Sequence, residues 1–361
     1  MSKTIDIAED ITIAQTLPPE FYTDEIIFQK IRKNIFERSW QLVTDTDNIK
    51  VSEDIFPFTF IENFIEEPLL FTRDKTDKIH CLSNVCTHRA NLLVKNPTNS
   101  NQILCSYHGR RFDLAGKFRS MPECDGMKNF PSERDHLSSA PFAEWKKFLF
   151  ASINPVFPFD ELIKEMQERL YWLPFEQIYF EPSRSQDYLI KANWALYCDN
   201  YLEGFHIPFV HKELAKVIDY GAYQSEIFKY SNLQIGIGKG GDDVFDIPKN
   251  SPDYGKNIAG YYFWLFPNTM FNFYPWGISI NIVKPIAVNL TKVSYRTYIW
   301  DASKLDKGAG GALEKVERED QNIVENVQRG ITSKLYHRGR FSPKMEQGVH
   351  HFHRLVAEFL K

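Results

Sequence analysis

Cys86-Thr87-His88, then sixteen residues, then Cys105-Ser106-Tyr107-His108-Gly109: each of two short loops carries one thiol and one imidazole. Four such donors suit a tetrahedral zinc ion. Zinc fingers, however, bring like residues together first, as C-x2-C and then H-x3-H. Alternation of Cys and His within each loop fits a different division, with two thiolates on one metal and two imidazoles on a second. A zinc site, or a chance pair of buried Cys and His residues, accounts less well for the alternation.

Around these loops, residues 46 to 155 read as short strands broken by Asp, Asn, Gly and Pro, among them PLLFTRD, KIHCLSNVC and QILCSYHGRRFDLAGKF. That spacing predicts a small antiparallel, all-β domain. Four of the five cysteines, all but Cys198, fall inside it. Upstream, residues 1 to 45 read as a helical part, with Phe28, Ile31, Ile35 and Trp40 at helical spacing after a Pro-Pro start. Downstream, residues 156 to 361 combine long strands such as AGYYFWLFPNTMFNFYP with two amphipathic helices, LEKVEREDQNIVENVQRGI and VHHFHRLVAEFLK. Strands followed by long helices predict an α+β domain on an antiparallel sheet.

Composition narrows the function. A chain of 361 residues with 43% hydrophobic side chains can bury a sizeable core in one large or two ordinary domains. Lys+Arg 43 against Asp+Glu 47, without a long basic stripe, argues against a nucleic-acid partner. No apolar run is long enough for a membrane span. The opening MSKTIDIAEDITIAQTLPPE carries acids where a signal peptide would be apolar. With five cysteines, an odd number, the expectation is reduced thiols in the cytoplasm. GIGKGG, residues 236 to 241, matches a dinucleotide fingerprint, but the adjoining DDVFDIPKNSPDYG cannot form the helix that fingerprint needs, so a loop is expected.

A second metal motif lies in EGFHIPFVH, residues 203 to 211. Two imidazoles and a carboxylate form the facial triad that holds mononuclear Fe(II) with positions open for O2 and substrate. His206 and His211 are five apart with Pro208 between them, which is expected to break the helix and let both rings face one point.

The alternating Cys/His loops resemble a Rieske [2Fe–2S] site, with Cys86, His88, Cys105 and His108 as ligands. Respiratory Rieske proteins have extra cysteines at the positions of Asn91 and Tyr107, so the site resembles the soluble type. With NYLEGFHIPFVH, the chain resembles the α subunit of Rieske non-heme iron (ring-hydroxylating) oxygenases, and within that family choline monooxygenase and related enzymes. The resemblance implies a Rieske domain inserted in a helix-grip (START-like) catalytic domain, a [2Fe–2S] cluster, mononuclear Fe(II) and a homotrimer. It implies hydroxylation of a small organic substrate with O2, and electrons from a separate NAD(P)H-dependent reductase, directly or through a ferredoxin. No flavin domain fits in the chain.

By the same resemblance the third iron ligand is Asp320, with Glu317 and Glu319 as rivals, and Glu203 bridges the iron-site histidine to His108 of an adjacent subunit. Asp199 is a second candidate for that bridge, and Asn200 is a candidate neighbour of the iron ligands. His350, His351 and His353 are read as parts of a packed helix. A quaternary ammonium or related amine is the expected substrate, with Tyr261, Phe263, Trp264, Phe271, Phe273 and Trp276 as pocket aromatics. An aromatic acid or other ring is the alternative substrate. A Rieske electron-transfer protein without oxygenase chemistry is the competing class, and His206, His211 and Asp320 together argue against it.

Overall fold

The computed structural model describes residues 5–217, 219–238, 244–311 and 313–361. The chain divides into two compact units. One comprises Glu37–Val156 and interrupts the other, which is made of the residues up to Phe36 together with Phe157–Lys361.

The inserted unit is all β among its described elements apart from single 3-10 turns. Strands β1 (Gln41–Asp45), β2 (Asp54–Phe60), β3 (Glu67–Arg73), β4 (Ile79–Ser83) and β5 (Thr98–Asn99) are followed by β6 (Ile103–Leu104), β7 (Arg111–Phe112), β8 (Phe118–Ser120), β9 (Phe142–Trp145) and β10 (Phe148–Ala151). They form three antiparallel sheets, ordered β1-β10-β9, β4-β3-β2-β5 and β6-β7-β8. β1 pairs with β10, so Gln41–Asp45 sits in this unit and not in the helical N-terminal part expected from sequence. Trp40 likewise lies beyond the first helix, which ends at Asn34. The core of Ile55, Leu70, Leu82, Leu93, Ile103, Phe112, Leu114 and Leu137 also encloses Cys86 and Cys105.

The other unit opens with α1 (Glu25–Asn34), capped by the Asp24 carboxylate accepting from the N–H groups of Ile26 at 2.7 Å and Ile27 at 3.1 Å. α2 (Phe159–Arg169) precedes β11 (Tyr179–Phe180) and β12 (Gln186–Ile190). Next come α3 (Trp194–Tyr201), α4 (Ile207–Val210) and α5 (Leu214–Val217). The strands β13 (Gln224–Ile227), β14 (Ser231–Ile237), β15 (Ile258–Leu265), β16 (Thr269–Tyr274), β17 (Gly277–Ala287) and β18 (Leu290–Ile299) complete an eight-stranded antiparallel sheet. Its order is β11-β18-β17-β16-β15-β14-β13, with β12 also on β18. The helices α6 (Leu313–Ile331) and α7 (Gln347–Phe359) end the chain. Of the glycine-rich 236–241 segment, residues 236 and 237 end β14, and 239–243 lie outside the described residues.

Sheet register decides which side chains meet the helices. Gln234 pairs with Tyr262, Tyr262 with Asn272, and Asn272 with Ser279, a row running across four strands. One residue along, Tyr261, Phe273 and Ile278 form the next row and face the other way.

Candidate active site

In the inserted unit the two donor loops repeat one turn. Ala90 N–H donates to the Cys86 carbonyl and Gly109 N–H to the Cys105 carbonyl, each at 3.0 Å. Both turning residues have positive φ, 52° and 70°. Asp135 ties the loops together: its carbonyl accepts from the Thr87 hydroxyl at 2.9 Å, and its carboxylate pairs with buried Arg110 at 2.6 Å. The thiols are buried and the imidazoles of His88 and His108 are exposed, their ring centroids 4.8 Å apart. Burial alone would raise the Cys105 thiol. N–H groups of Tyr107 and His108, the Cys86 thiol and the Asn91 amide outweigh it and lower the pKa, which favours thiolate. All five cysteines are free.

In the other unit, α4 is flanked by His206 at its start and His211 at its end. Pro208 lies in the first turn, where its missing N–H costs nothing, so it begins this short helix and does not break one. His206 Nε2 lies 3.1 Å from His211 Nε2, and Asp320 Oδ1 lies 2.9 Å from His211 Nε2 and 3.5 Å from His206 Nε2. Asp320 arrives from the middle of α6 and accepts from Asn200 Nδ2 on α3 at 2.7 Å.

Behind the rings stand two more carboxylates. Glu203 Oε1 is 2.7 Å from His206 Nδ1, and Glu319 Oε2 is 2.8 Å from His211 Nδ1. A carboxylate accepts the Nδ1 proton, which leaves each Nε2 lone pair facing Asp320. Glu203 Oε2 also accepts from the N–H groups of Phe205 and His206. Burial would lower His211, but Asp320 and Glu319 outweigh it and raise the pKa.

Three electron-pair donors brought this close repel one another unless a cation lies among them, so the set fits a mononuclear metal ion. Among the described residues, His206, His211 and Asp320 are the only group of three or more His, Cys, Asp or Glu side chains close enough to share one ion. In the inserted unit the Cys86 and Cys105 thiols adjoin each other and the His88 and His108 rings adjoin each other, a pairing of like donors that fits a two-iron cluster better than a tetrahedral zinc.

A cavity of about 110 Å3 opens beside the histidines. From α3 it receives Tyr197, Asn200 and Tyr201, from the sheet Gln234, Tyr262, Asn272, Tyr274, Ser279 and Asn281, and from α6 Leu313, Val316, Glu317 and Asp320. Tyr223 closes one side, and a β-carbon on Gly204 would lie 2.7 Å from its ring, so only glycine fits there.

None of the six pocket aromatics expected from sequence lines this cavity. Tyr261, Phe263, Phe271 and Phe273 lie on the other face of β15 and β16, where Phe263 and Phe271 both pack on Phe273. Trp264 packs on Phe266 and Phe352, and Trp276 is buried in the turn after β16, stacked on Tyr274. Four of the six are the wrong alternates of their strands, whereas Trp264 shares the face of Tyr262 but packs beyond the cavity. The signal missed in the sequence is that the cavity-side positions, Tyr262, Asn272 and Tyr274, mix rings with polar groups.

The three histidines of α7 are held separately. His350 bonds the Ala8 carbonyl, His351 bonds Asn232 and His353 bonds Asp199, each at 2.8 Å. Asp199 also accepts from the Tyr22 hydroxyl at 2.9 Å, which commits it to the packing of α7. No helix among the described residues is long and apolar enough to cross a membrane.

Residues 39–131 match the Rieske [2Fe–2S] domain, and residues 171–361 match the ring-hydroxylating α subunit catalytic domain. The chain is 29% identical to the chloroplastic choline monooxygenase of Arabidopsis thaliana, over 96% of this chain and 83% of that one. It is 26% identical to the carnitine monooxygenase oxygenase subunit of Escherichia coli K12, over 96% and 94%. Among solved structures, a quaternary ammonium Rieske monooxygenase in complex with an inhibitor aligns with a TM-score of 0.80 at 24% identity, covering 98% of this chain and 97% of that one. A naphthalene 1,2-dioxygenase aligns with a TM-score of 0.72 at 18% identity, covering 96% and 92%. Since the catalytic-domain match alone takes in more than half of the chain, the protein belongs to the ring-hydroxylating oxygenase α subunits, which carry a Rieske [2Fe–2S] cluster and a mononuclear iron.

Proposed function

We propose that this oxygenase hydroxylates a quaternary ammonium compound, using electrons from a separate NAD(P)H-dependent reductase. The observation that carries the reading is the set of five tyrosines, Tyr197, Tyr201, Tyr223, Tyr262 and Tyr274, around the cavity beside the histidines. Burial holds all five phenols above their ordinary value, so a ligand meets them as neutral rings. Aromatic rings attract an ammonium group by roughly 0.5–2 kcal/mol each. An aromatic acid would call for a cation, and no Lys or Arg is among the described lining residues. The names of the choline and carnitine monooxygenase relatives point the same way.

His206, His211 and Asp320 are assigned to the iron, and Cys86, His88, Cys105 and His108 to the cluster. When bound, the iron supplies the site of O2 activation and the cluster its electrons. The protein's part is to hold Nε2 of both rings toward one point through Glu203 and Glu319. It also seats the substrate among the tyrosines and keeps bulk water out. Glu203 is further assigned as the link from His206 to His108 of a neighbouring subunit in a homotrimer. A head-to-tail ring of this kind makes each subunit's iron depend on its neighbour's cluster.

Oxygen uptake with a surrogate reductase tests the substrate class. Uptake and hydroxylated product are expected with ammonium compounds and not with benzoate-type acids. The reverse pattern ends the reading.

A further inference from the structure

The inner face of α6 carries one acid without a task. Leu313, Val316, Glu317 and Asp320 line the cavity, and Val324, Gln328 and Ile331 continue the same stripe as buried residues. A helix stripe turned toward the protein interior is apolar by default, so its polar members need reasons. Gln328 accepts from Asn193 N–H at 2.7 Å, fixing α6 to the start of α3. Asp320 stands between the two histidines. Glu317 makes no hydrogen bond or ion pair among the described residues. Its neighbour Glu314, by contrast, pairs with Arg318 at 3.0 Å.

Burial, then the charges of Asp320 and Glu314, pushes the Glu317 carboxyl well above the ordinary carboxylate range. Its charge is felt by the phenols of Tyr197 and Tyr274, which places it among the same rings. Burial therefore disfavours the charged form in the empty cavity, and a ligand that brings positive charge favours the carboxylate that pairs with it.

We propose that Glu317 is the counter-charge for the substrate's ammonium group. It thereby selects a cation with an uncharged hydroxyl tail, of the choline kind, over zwitterions whose tail is a carboxylate. The proposal rests on the quaternary ammonium reading above. The polar side chains that the sheet contributes to the cavity, Gln234, Asn272, Ser279 and Asn281, are neutral and suit a hydroxyl. A carboxylate tail would find no Lys or Arg among the described lining to receive it, beside a Glu317 carboxyl that pairs only with the positive end of the ligand.

Titration calorimetry on the cluster- and iron-loaded protein tests this with four ligands: choline, its uncharged carbon analogue dimethylbutanol, carnitine and glycine betaine. Choline is expected to bind about tenfold or more tighter than either zwitterion. Glu317→Gln is expected to weaken choline about tenfold or more, and to change dimethylbutanol by less than about threefold. Zwitterions that bind as tightly as choline overturn the proposal, as does a Gln variant that keeps the affinity for choline. The wild-type series stands even if the variant loses its metals, which cluster absorbance and iron content report. If no ammonium compound binds and benzoate-type acids do, the quaternary ammonium reading itself has failed.

Discussion

The loops proposed to hold the cluster and the centre proposed to hold the iron are both built from imidazoles and acidic donors, yet they are assembled over very different lengths of chain. Each cluster loop closes through one backbone turn, from Cys86 to Ala90 and from Cys105 to Gly109. The iron centre joins His211 to a carboxylate 109 residues later, and its position depends on how α3, α4 and α6 pack. A site made by local turns is carried by its own loops; a site made by packing is exposed to changes in every element that positions it. The two should therefore respond independently to substitution, and the iron centre should be the more sensitive.

The largest effect is expected at the point where that packing converges. Asp320→Ala should lower iron content from about three to about two atoms per chain and take turnover below about 1% of wild type, with the cluster's visible spectrum intact. Retention of mononuclear iron in the variant would move the ligand to Glu319 or Glu317.

A second substitution couples the two regions. Glu203→Gln keeps one acceptor for His206 but cannot receive protons from two imidazoles. Turnover should fall about 100-fold with both metals loaded, and reduced cluster should fail to reoxidise when substrate and O2 are added. Normal reoxidation in a single-turnover trace would sink the assignment of Glu203 as the link between subunits.

Legibility in the sequence followed the same divide. The donors proposed for the cluster stand out because their spacing is local, and His206 and His211 because five residues separate them. Asp320 needed the family pattern, since Glu317 and Asp320 share a helical face and nothing local says which of them turns to the histidines. Glu319 was read only as a rival ligand, whereas it supports His211 from behind. The pocket was misread for a plainer reason. Tyr261 and Tyr262 are neighbours of one type, and only the pairing of β15 with β16 decides which of them faces α3 and α6.

Glu319 should produce a smaller effect than Glu203, because it touches a ligand and no electron path. Glu319→Ala leaves the His211 Nδ1 proton without its carboxylate, and metal affinity is expected to fall about 10–100-fold. Turnover in excess iron should recover to within a few-fold of wild type. An iron titration followed by oxygen uptake separates this from the Asp320 case, in which added iron should restore nothing.

The smallest expected effect sets the two faces of one sheet against each other. Tyr262 and Phe263 are adjacent on β15, between the same two neighbouring strands, and occupy opposite sides of the sheet. Tyr262→Leu removes a ring from the cavity, and with it an attraction of roughly 0.5–2 kcal/mol, so KM for an ammonium substrate should rise about two- to thirtyfold with little change in melting temperature. Phe263→Leu removes a fully buried ring from the rear layer that Phe273 joins, so it should cost about 1 kcal/mol of stability and leave KM within about twofold. Thermal melting and KM measured on both variants decide the matter. If Phe263→Leu raises KM and Tyr262→Leu does not, the substrate lies on the other face of the sheet, and the tyrosines of α3 have no part in holding it.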